Sequence, residues 1–303
     1  MSGISTNRSN ISLPTDISAE IIQKTQEASA VMTLASQIVL PGNGLTIPMI
    51  TSDPEADWVA ETDKKPVSNP GLSQKVMKGY KLAVIVPFSD EFGRDLPALY
   101  DALVQRLPAA LGRKFDATVF HGTAPGTGFD VLTNCTAQSI DVNASGEGGF
   151  YKALVAADVD IAAHGGDING FAFSPQGRGE MLSALDRDGR PIFVNNVAEG
   201  AIPTLIGQPV YYSRGLYAAG NSSTGAAAKP DVLGFAGDWT KAMYGTVEGV
   251  KIDISNQATL PIGASGAMEN LWQRNMFAVK AEIEVGFVAV TDCFNKIVRT
   301  HSA

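Results

Sequence analysis

Residues 45–89 read LTIPMITSDPEADWVAETDKKPVSNPGLSQKVMKGYKLAVIVPFS, two alternating apolar runs around a long polar middle. At its front, Leu45, Ile47 and Met49 alternate with Thr46 and Pro48. That is the period of a strand, and Pro48 confines it to a sheet edge because proline has no N–H to give a ladder. At its back, Val76, Tyr80, Leu82, Val84 and Val86 resume extended character. Between them, residues 53–70 are charged and proline-rich, yet they carry Trp58 beside Val59. A solvated loop has no need of tryptophan, and a core strand is not ringed by Asp, Glu and Pro. A tryptophan in such a setting is the kind of apolar face that interfaces use as an anchor. Two strands joined by a long polar tip make a projecting β-arm. An isolated two-stranded ribbon is marginal in water, so the arm needs cover. No neighbouring sequence obviously supplies it. The expected cover is another copy of the chain, with an arm folded back on its own domain as the alternative.

Upstream, a polar stretch (residues 1–13) precedes Pro14, Thr15, Asp16 and Ser18, which are helix-start residues. Ile21, Ile22, Ala28, Val31, Met32 and Ala35 then predict a short amphipathic helix, ended by Gly42 and Gly44. Downstream the period changes. Phe92, Leu96, Leu99, Leu103, Leu107, Leu111, Phe115 and Val119 form one apolar stripe on a long helix. Ser89 is a plausible N-cap, Pro108 is expected to kink the helix, and Gly122 ends it. A helix is expected over 149–163 (Phe150, Leu154, Val155, Val159), a strand in INGFAFS and a short helix in PQGRGEMLSALD. A turn and strand are expected in RDGRPIFVNN, a strand in GQPVYYSR and a loop in AAGNSSTGAAAKP. A strand pair is expected in VLGFAGDWTKAMYGTVEGVKIDISN, and a long strand or hairpin in MFAVKAEIEVGFVAVTDCFNKIV. There is no internal repeat and no βαβ regularity, so the expected class is α+β.

Composition sets bounds on function. Hydrophobic residues make up 45% of the 303 and charged residues only 18%, enough apolar material for a sizeable core. The net charge of -8 argues against broad affinity for nucleic acid or membrane. No apolar run approaches the ~20 residues that span a bilayer, and the N-terminus lacks a signal-peptide core. Cys135 and Cys293 have no CxxC partner, so neither a disulfide framework nor a zinc site is expected.

The chemical motifs are near misses. His121, His164 and His301 are scattered. GTAPGTG (122–128) has the glycines of a phosphate loop without its Lys-Ser/Thr, and it follows a helix. GASGA around Ser265 has Ala267 where a nucleophile elbow needs glycine. DRDG (186–189) lacks the register of a calcium loop. Asp238 and Trp239 stand at a strand start, where a structural role is expected. No enzyme, cofactor or metal site assembles from these residues.

Taken together, the segments resemble the major capsid proteins of tailed bacteriophages with the Hong Kong 97-type fold. The resemblance is carried by LPTDISAEIIQKTQEASAVMTLA, DWVAETDKKPVS, VPFSDEFGRD, FDATVFHGT, IGQPVYYS and GFAGDW…VKIDIS, in that order along nearly the whole chain. It implies an N-arm (1–40), an extended β-hairpin loop (41–86), a peripheral domain with a long spine helix (87–147 and 253–303) and an axial domain (148–252). It implies a structural subunit that forms pentamers and hexamers of an icosahedral shell around double-stranded DNA, made in the host cytoplasm and resident in the virion. The expected partners are further copies of the chain, a portal, a decoration protein and packaged DNA held without specific binding, with no membrane. Because so few residues precede Pro14, a separate scaffolding protein, or none, is expected. In the family, Trp58 and Val59 would rest on an adjacent subunit. Some members weld their shells by an isopeptide bond, and the resemblance places Lys65 at the lysine position, Asn275 at the asparagine and Glu282 at the general base. The plain reading of these three is a solvated lysine, a turn residue and an exposed strand residue. Two other classes stay open: a nanocompartment shell of the encapsulin kind, and a soluble hydrolase.

Overall fold

A computed structural model describes residues 29–300, except 53, 55, 61–63, 66, 70, 90–95, 143–147, 186–187, 194–203, 222–228 and 263–266. The expected helix start at Pro14–Ser18 and the loop around Ser265 lie outside the described residues.

The described N-terminal segment holds one helical turn and a half, α1 (Ala30–Leu34), capped by the Ser29 hydroxyl accepting from the Met32 N–H at 3.1 Å. The expected helix runs further, to about Ile38. Instead, Ser36–Val39 is a strand, β1, because the edge of a sheet recruits its backbone: β1 lies parallel to β10 (Ala242–Ser255), with Ser36 opposite Met243 and Val39 opposite Thr246. The β-branched Ile38 and Val39 suit that pairing.

The arm begins with β2 (Leu45–Ser52), which pairs antiparallel with β3 (Gly71–Met77) from Leu45↔Met77 to Ser52↔Gly71. These two strands form a sheet of their own. The extended pattern of 71–89 is two strands, not one. It breaks at Lys78–Gly79, and β4 (Tyr80–Ser89) leaves the ribbon to pair with β13 (Met276–Ala289). Ser89 is therefore the end of a strand and not a helix cap.

The long helix α2 runs from Leu96 to His121, across Pro108. Its apolar stripe is buried as expected over the described side chains: Leu107, Leu111, Phe115 and Val119 are each 5% exposed or less. It packs on a four-stranded sheet of order β1-β10-β13-β4, whose inward residues Val279, Ala281, Ile283, Val285 and Phe287 share its core. The second sheet has six strands, in the order β5 (Thr136–Ser139), β14 (Phe294–Arg299), β9 (Asp231–Gly237), β6 (Gly170–Phe173), β8 (Gln208–Tyr212), β7 (Thr204–Leu205). Two helices, α3 (Phe150–Ala163) and α4 (Pro175–Ser183), pack against it. The buried stripe of α3 is Phe150, Leu154, Ala157 and Ile161, while Val155 and Val159 face outward.

Two expected pairings are not formed. β9 and β10 are consecutive but belong to different sheets, and so do β13 and β14. Each junction is a short 3-10 turn, Trp239–Lys241 and Thr291–Cys293. Asp238 caps the first by accepting from the Thr240 N–H at 3.1 Å. These turns hand the chain from one sheet to the other, so that both sheets share a core. Trp239 sits at that crossing, 2% exposed, with its indole N–H on the Gly170 carbonyl at 3.1 Å. Its ring lies 6.1 Å from Phe120 of the long helix and 5.1 Å from Phe294 of β14. In RDGRPIFVNN, the described residues form no strand, and Pro191 makes an isolated bridge to Leu185.

A buried carboxylate ties three segments together. Asp116 of α2 accepts from the Ser29 hydroxyl (2.6 Å), the Ala30 N–H (3.0 Å), the Val31 N–H (3.3 Å) and the Ser213 hydroxyl (2.6 Å). Burial pushes its carboxyl up from the ordinary value of 3.8, against the downward pull of the Ser213, Ser29, Ala30 and Val31 hydrogen bonds. Both cysteines are buried thiols, and desolvation raises Cys135 to about 12.

Candidate functional site

The arm is built in two parts. Its root belongs to its own subunit: Ile47 and Met77 are buried, the Lys75 ammonium lies 2.7 Å from Asp130 and also donates to the Ala289 carbonyl at 2.7 Å, and the Tyr80 hydroxyl donates to the Thr127 carbonyl at 2.7 Å. Beyond the root the ribbon carries the tip away. The seven steps from Leu45 to Ser52, at about 3.3 Å each, put the far end of β2 roughly 23 Å from Leu45.

At the tip, Trp58 is fully exposed at 101%, Val67 is 86% exposed and Val59 38%. Lys64 and Lys65 are exposed beside them. A fully exposed indole removes the possibility that Trp58 packs within its own subunit's core. The tip thus offers apolar surface that its own subunit does not cover.

Asn275 lies at the foot of a second projection. β11 (Thr259–Leu260) and β12 (Glu269–Asn270) form a short hairpin, followed by a 3-10 turn at Trp272–Arg274. The Asn270 side-chain carbonyl accepts from the Trp272 N–H at 3.0 Å, and Arg274 grips Glu269 through two hydrogen bonds of 2.8 and 2.6 Å. Asn275 closes the turn in a left-handed conformation, φ +51°, which asparagine tolerates better than most residues. Its side chain is exposed. Trp272, at 69% exposure, and Met268, at 66%, add apolar surface here. Trp272 is a functional surface residue absent from the sequence expectations, although NLWQRN carries a signal like that of Trp58, a tryptophan in a mostly polar stretch.

Glu282 is on the outer face of the four-stranded sheet, a face tiled with charge. Across β10, β13 and β4 the register sets Lys251–Glu282–Ala83 beside Asp253–Lys280–Ile85 and Glu248–Glu284–Lys81. Lys280 lies 2.9 Å from Asp253 and 3.2 Å from Glu282, and Lys251 pairs with Glu248. The hydrogen bond to Asp253, then that to Glu282, raises the Lys280 ammonium above its ordinary value, and Glu248 does the same for Lys251. Glu282 is therefore ion-paired on a polar face, not set in an apolar pocket.

The three candidate residues are not brought together within one subunit. No hydrogen bond or ion pair joins Lys65, Asn275 and Glu282 among the described residues. Asn275 and Glu282 are seven positions apart along an extended strand, about 23 Å. The histidines have backbone partners: His121 Nε2 is 3.0 Å from the Gly215 carbonyl and His164 Nδ1 is 2.8 Å from the Asp160 carbonyl. Among the described residues no three His, Cys, Asp or Glu side chains are grouped to hold a metal, and no helix is long and apolar enough to cross a membrane.

The chain has relatives of matching shape and length. It is 27% identical over 271 residues to the probable major capsid protein gp17 of Mycobacterium phage L5, covering 86% of this chain and 81% of that protein. It is 23% identical over 295 residues to the major capsid protein of Staphylococcus phage 80alpha, covering 94% and 84%. Among solved structures, a chain from Mycobacterium phage Bobi superposes with a TM-score of 0.69 at 19% identity, over 91% of both chains. A chain described as the capsid of a native GTA particle gives 0.62 at 14% identity, over 99% of this chain and 96% of that one. The profile of the phage capsid family matches residues 10–293. That match spans the arm, the long helix and every strand of both sheets but β14, and the chain belongs to the phage capsid family, with the Hong Kong 97-type fold.

Proposed function

We propose that this chain is the major head subunit of a tailed phage, assembling as pentamers and hexamers into an icosahedral shell around double-stranded DNA. The observation that carries the reading is the arm: its root is built into its own subunit, its ribbon runs roughly 23 Å from that root, and the tip beyond the ribbon presents an exposed tryptophan. An uncovered ribbon end of this kind is completed by a neighbour, and a shell supplies one to every copy. The four-stranded sheet with α2 serves as the peripheral domain, and the six-stranded sheet with α3 and α4 as the axial domain at capsomer centres. In the expected division, β5 and β14 fall outside 148–252; their pairing in the six-stranded sheet favours assigning them to the axial domain. A scaffolding protein, a portal and a decoration protein are the further partners of such a shell. The acidic subunit holds its DNA loosely.

Assembly is the test. The purified chain, alone or with a scaffold, should sediment as capsomers or shells. A well-folded monomer that persists at high concentration would contradict the proposal.

A second reading concerns welding. We infer that Lys65 of one subunit can join Asn275 of another. The Lys65 Nζ, after losing a proton, attacks the Asn275 side-chain carbonyl carbon; a C–N bond forms and ammonia leaves, carrying the proton that Glu282 of a third subunit takes and returns. The exposure of Lys65 and Asn275 and their separation within one chain favour a reaction that waits for assembly. Glu282 must first part from Lys280, a half-exposed pair that costs about 1 kcal/mol or less to break. Denaturing electrophoresis of mature particles should give a ladder, abolished by Lys65→Ala and by Asn275→Asp, which keeps the left-handed turn but has no amide to lose. A single band at 31.8 kDa would show that these residues only pack.

A further inference from the structure

The root of the arm has a small core of its own. Leu40, Ile47, Met77 and Val288 are buried together, apart from the main core, with Ile38, Met243 and Val247 packed around them. At its centre Met77 is fully buried. It stands over a place where two glycines face each other across the four-stranded sheet, Gly245 on β10 and Gly286 on β13. A Cβ on Gly286 would lie 3.0 Å from Met77 Cγ and 2.6 Å from the Lys78 carbonyl oxygen. A Cβ on Gly245 would lie 2.9 Å from Met77 Sδ and would overlap Leu40 Cδ1. The glycine pair is thus a socket, and the methionine side chain fills it.

The surroundings of the socket set the rest of the geometry. Lys75 and Asp130 clip the ribbon to the loop after the long helix, and the Lys78 N–H donates to the Gly128 carbonyl at 2.8 Å. Only two chain connections join ribbon to body. One is Gly44, at φ +86°, and the other is Lys78–Gly79, where β3 ends before β4 begins in a different sheet. No ladder crosses either joint.

We propose that the ribbon is a lever whose angle to the subunit is fixed by Met77 in the Gly245/Gly286 socket, latched by Lys75–Asp130, and that withdrawing the plug lets it swing about Gly44 and Gly79. The lever arm gives the device its leverage. With the far end about 23 Å from the root, a tilt of about 10° moves it by about 4 Å, the full range of a van der Waals contact. The socket therefore controls where Trp58 is delivered, although it lies far from Trp58. Because this small core is separate from the main one, emptying it frees the arm without unfolding the body.

The test is a distance measurement between spin labels on Val67→Cys and Thr123→Cys in the full chain, diluted with unlabelled protein. The two native thiols are buried and stay unlabelled. The parent and Met77→Leu should give one narrow peak. Met77→Ala should broaden it about twofold or more, with the melting transition of the body retained. Gly286→Ala, which expels the plug from the other side, should broaden it likewise, and serves if Met77→Ala does not fold. A narrow peak at the parent distance in either folded variant overturns the proposal, as does broadening in Met77→Leu equal to that in Met77→Ala.

Discussion

Trp58→Ala is expected to leave the isolated subunit's melting temperature unchanged and to abolish or sharply weaken shells. The two halves of this result have separate causes. Trp58 is fully exposed in the subunit, so its truncation opens no cavity and removes no internal contact. In an assembly the same indole is the largest apolar group at the tip, with Val59 and Val67 beside it. Truncating a buried aromatic anchor at an interface costs on the order of 2 kcal/mol or more. Every subunit of a shell repeats that loss, so the deficit accumulates over the particle. Calorimetry on the unassembled subunit and sedimentation of the particles read the two effects independently. A subunit that melts earlier would place Trp58 in its own fold, and shells of unchanged stability would deny it any interface.

Asp116→Ala acts in the opposite place. Its carboxylate accepts four hydrogen bonds, two from hydroxyls and two from backbone N–H groups, in a fully buried site. Removing it strands all four donors and leaves a cavity. Each stranded donor costs about 1–3 kcal/mol, so a loss of about 4 kcal/mol or more is expected. That is a large share of the ~5–15 kcal/mol that holds a domain folded. The damage has a direction as well as a size. Asp116 joins the start of α1, the long helix and the Ser213 loop, so residues 29–39 should lose amide protection before the six-stranded sheet does. Hydrogen exchange on the variant reads that order. A variant within 1 kcal/mol of the parent, measured by denaturant titration, would show that water replaces the carboxylate.

Much of this was legible in the sequence because a single period governed each segment. Leu107, Leu111, Phe115 and Val119 announce a helix face by spacing alone, and Trp58 announces itself by its polar neighbours. What stayed hidden depended on partners far along the chain. Ser36–Val39 continues the apolar spacing of α1, and only the edge of β10 makes it a strand. Residues 71–89 keep one alternation throughout, and nothing but Gly79 hints that β3 and β4 belong to different sheets. β9 and β10 look like a hairpin because they adjoin, yet a 3-10 turn at Trp239 sends them apart. The charged setting of Glu282 was equally out of reach, since Lys251 and Asp253 meet β13 only through register. Asp116 gave no local sign at all, because its four donors come from residues 29–31 and 213.

The chain belongs to a family of capsid proteins, and among the described residues Asp238 caps a 3-10 turn, Trp239 fills the crossing of the two sheets, and His121 and His164 lie against backbone carbonyls.

Whether a neighbour completes the arm of each subunit is read from an electron-microscopy reconstruction of the particles formed by the expressed chain. Closed icosahedral shells are expected, in which residues 53–70 of each subunit lie against an adjacent one, with the Trp58 indole covered by it. Shells in which Trp58 faces solvent, or an arm folded back on its own subunit, would contradict it.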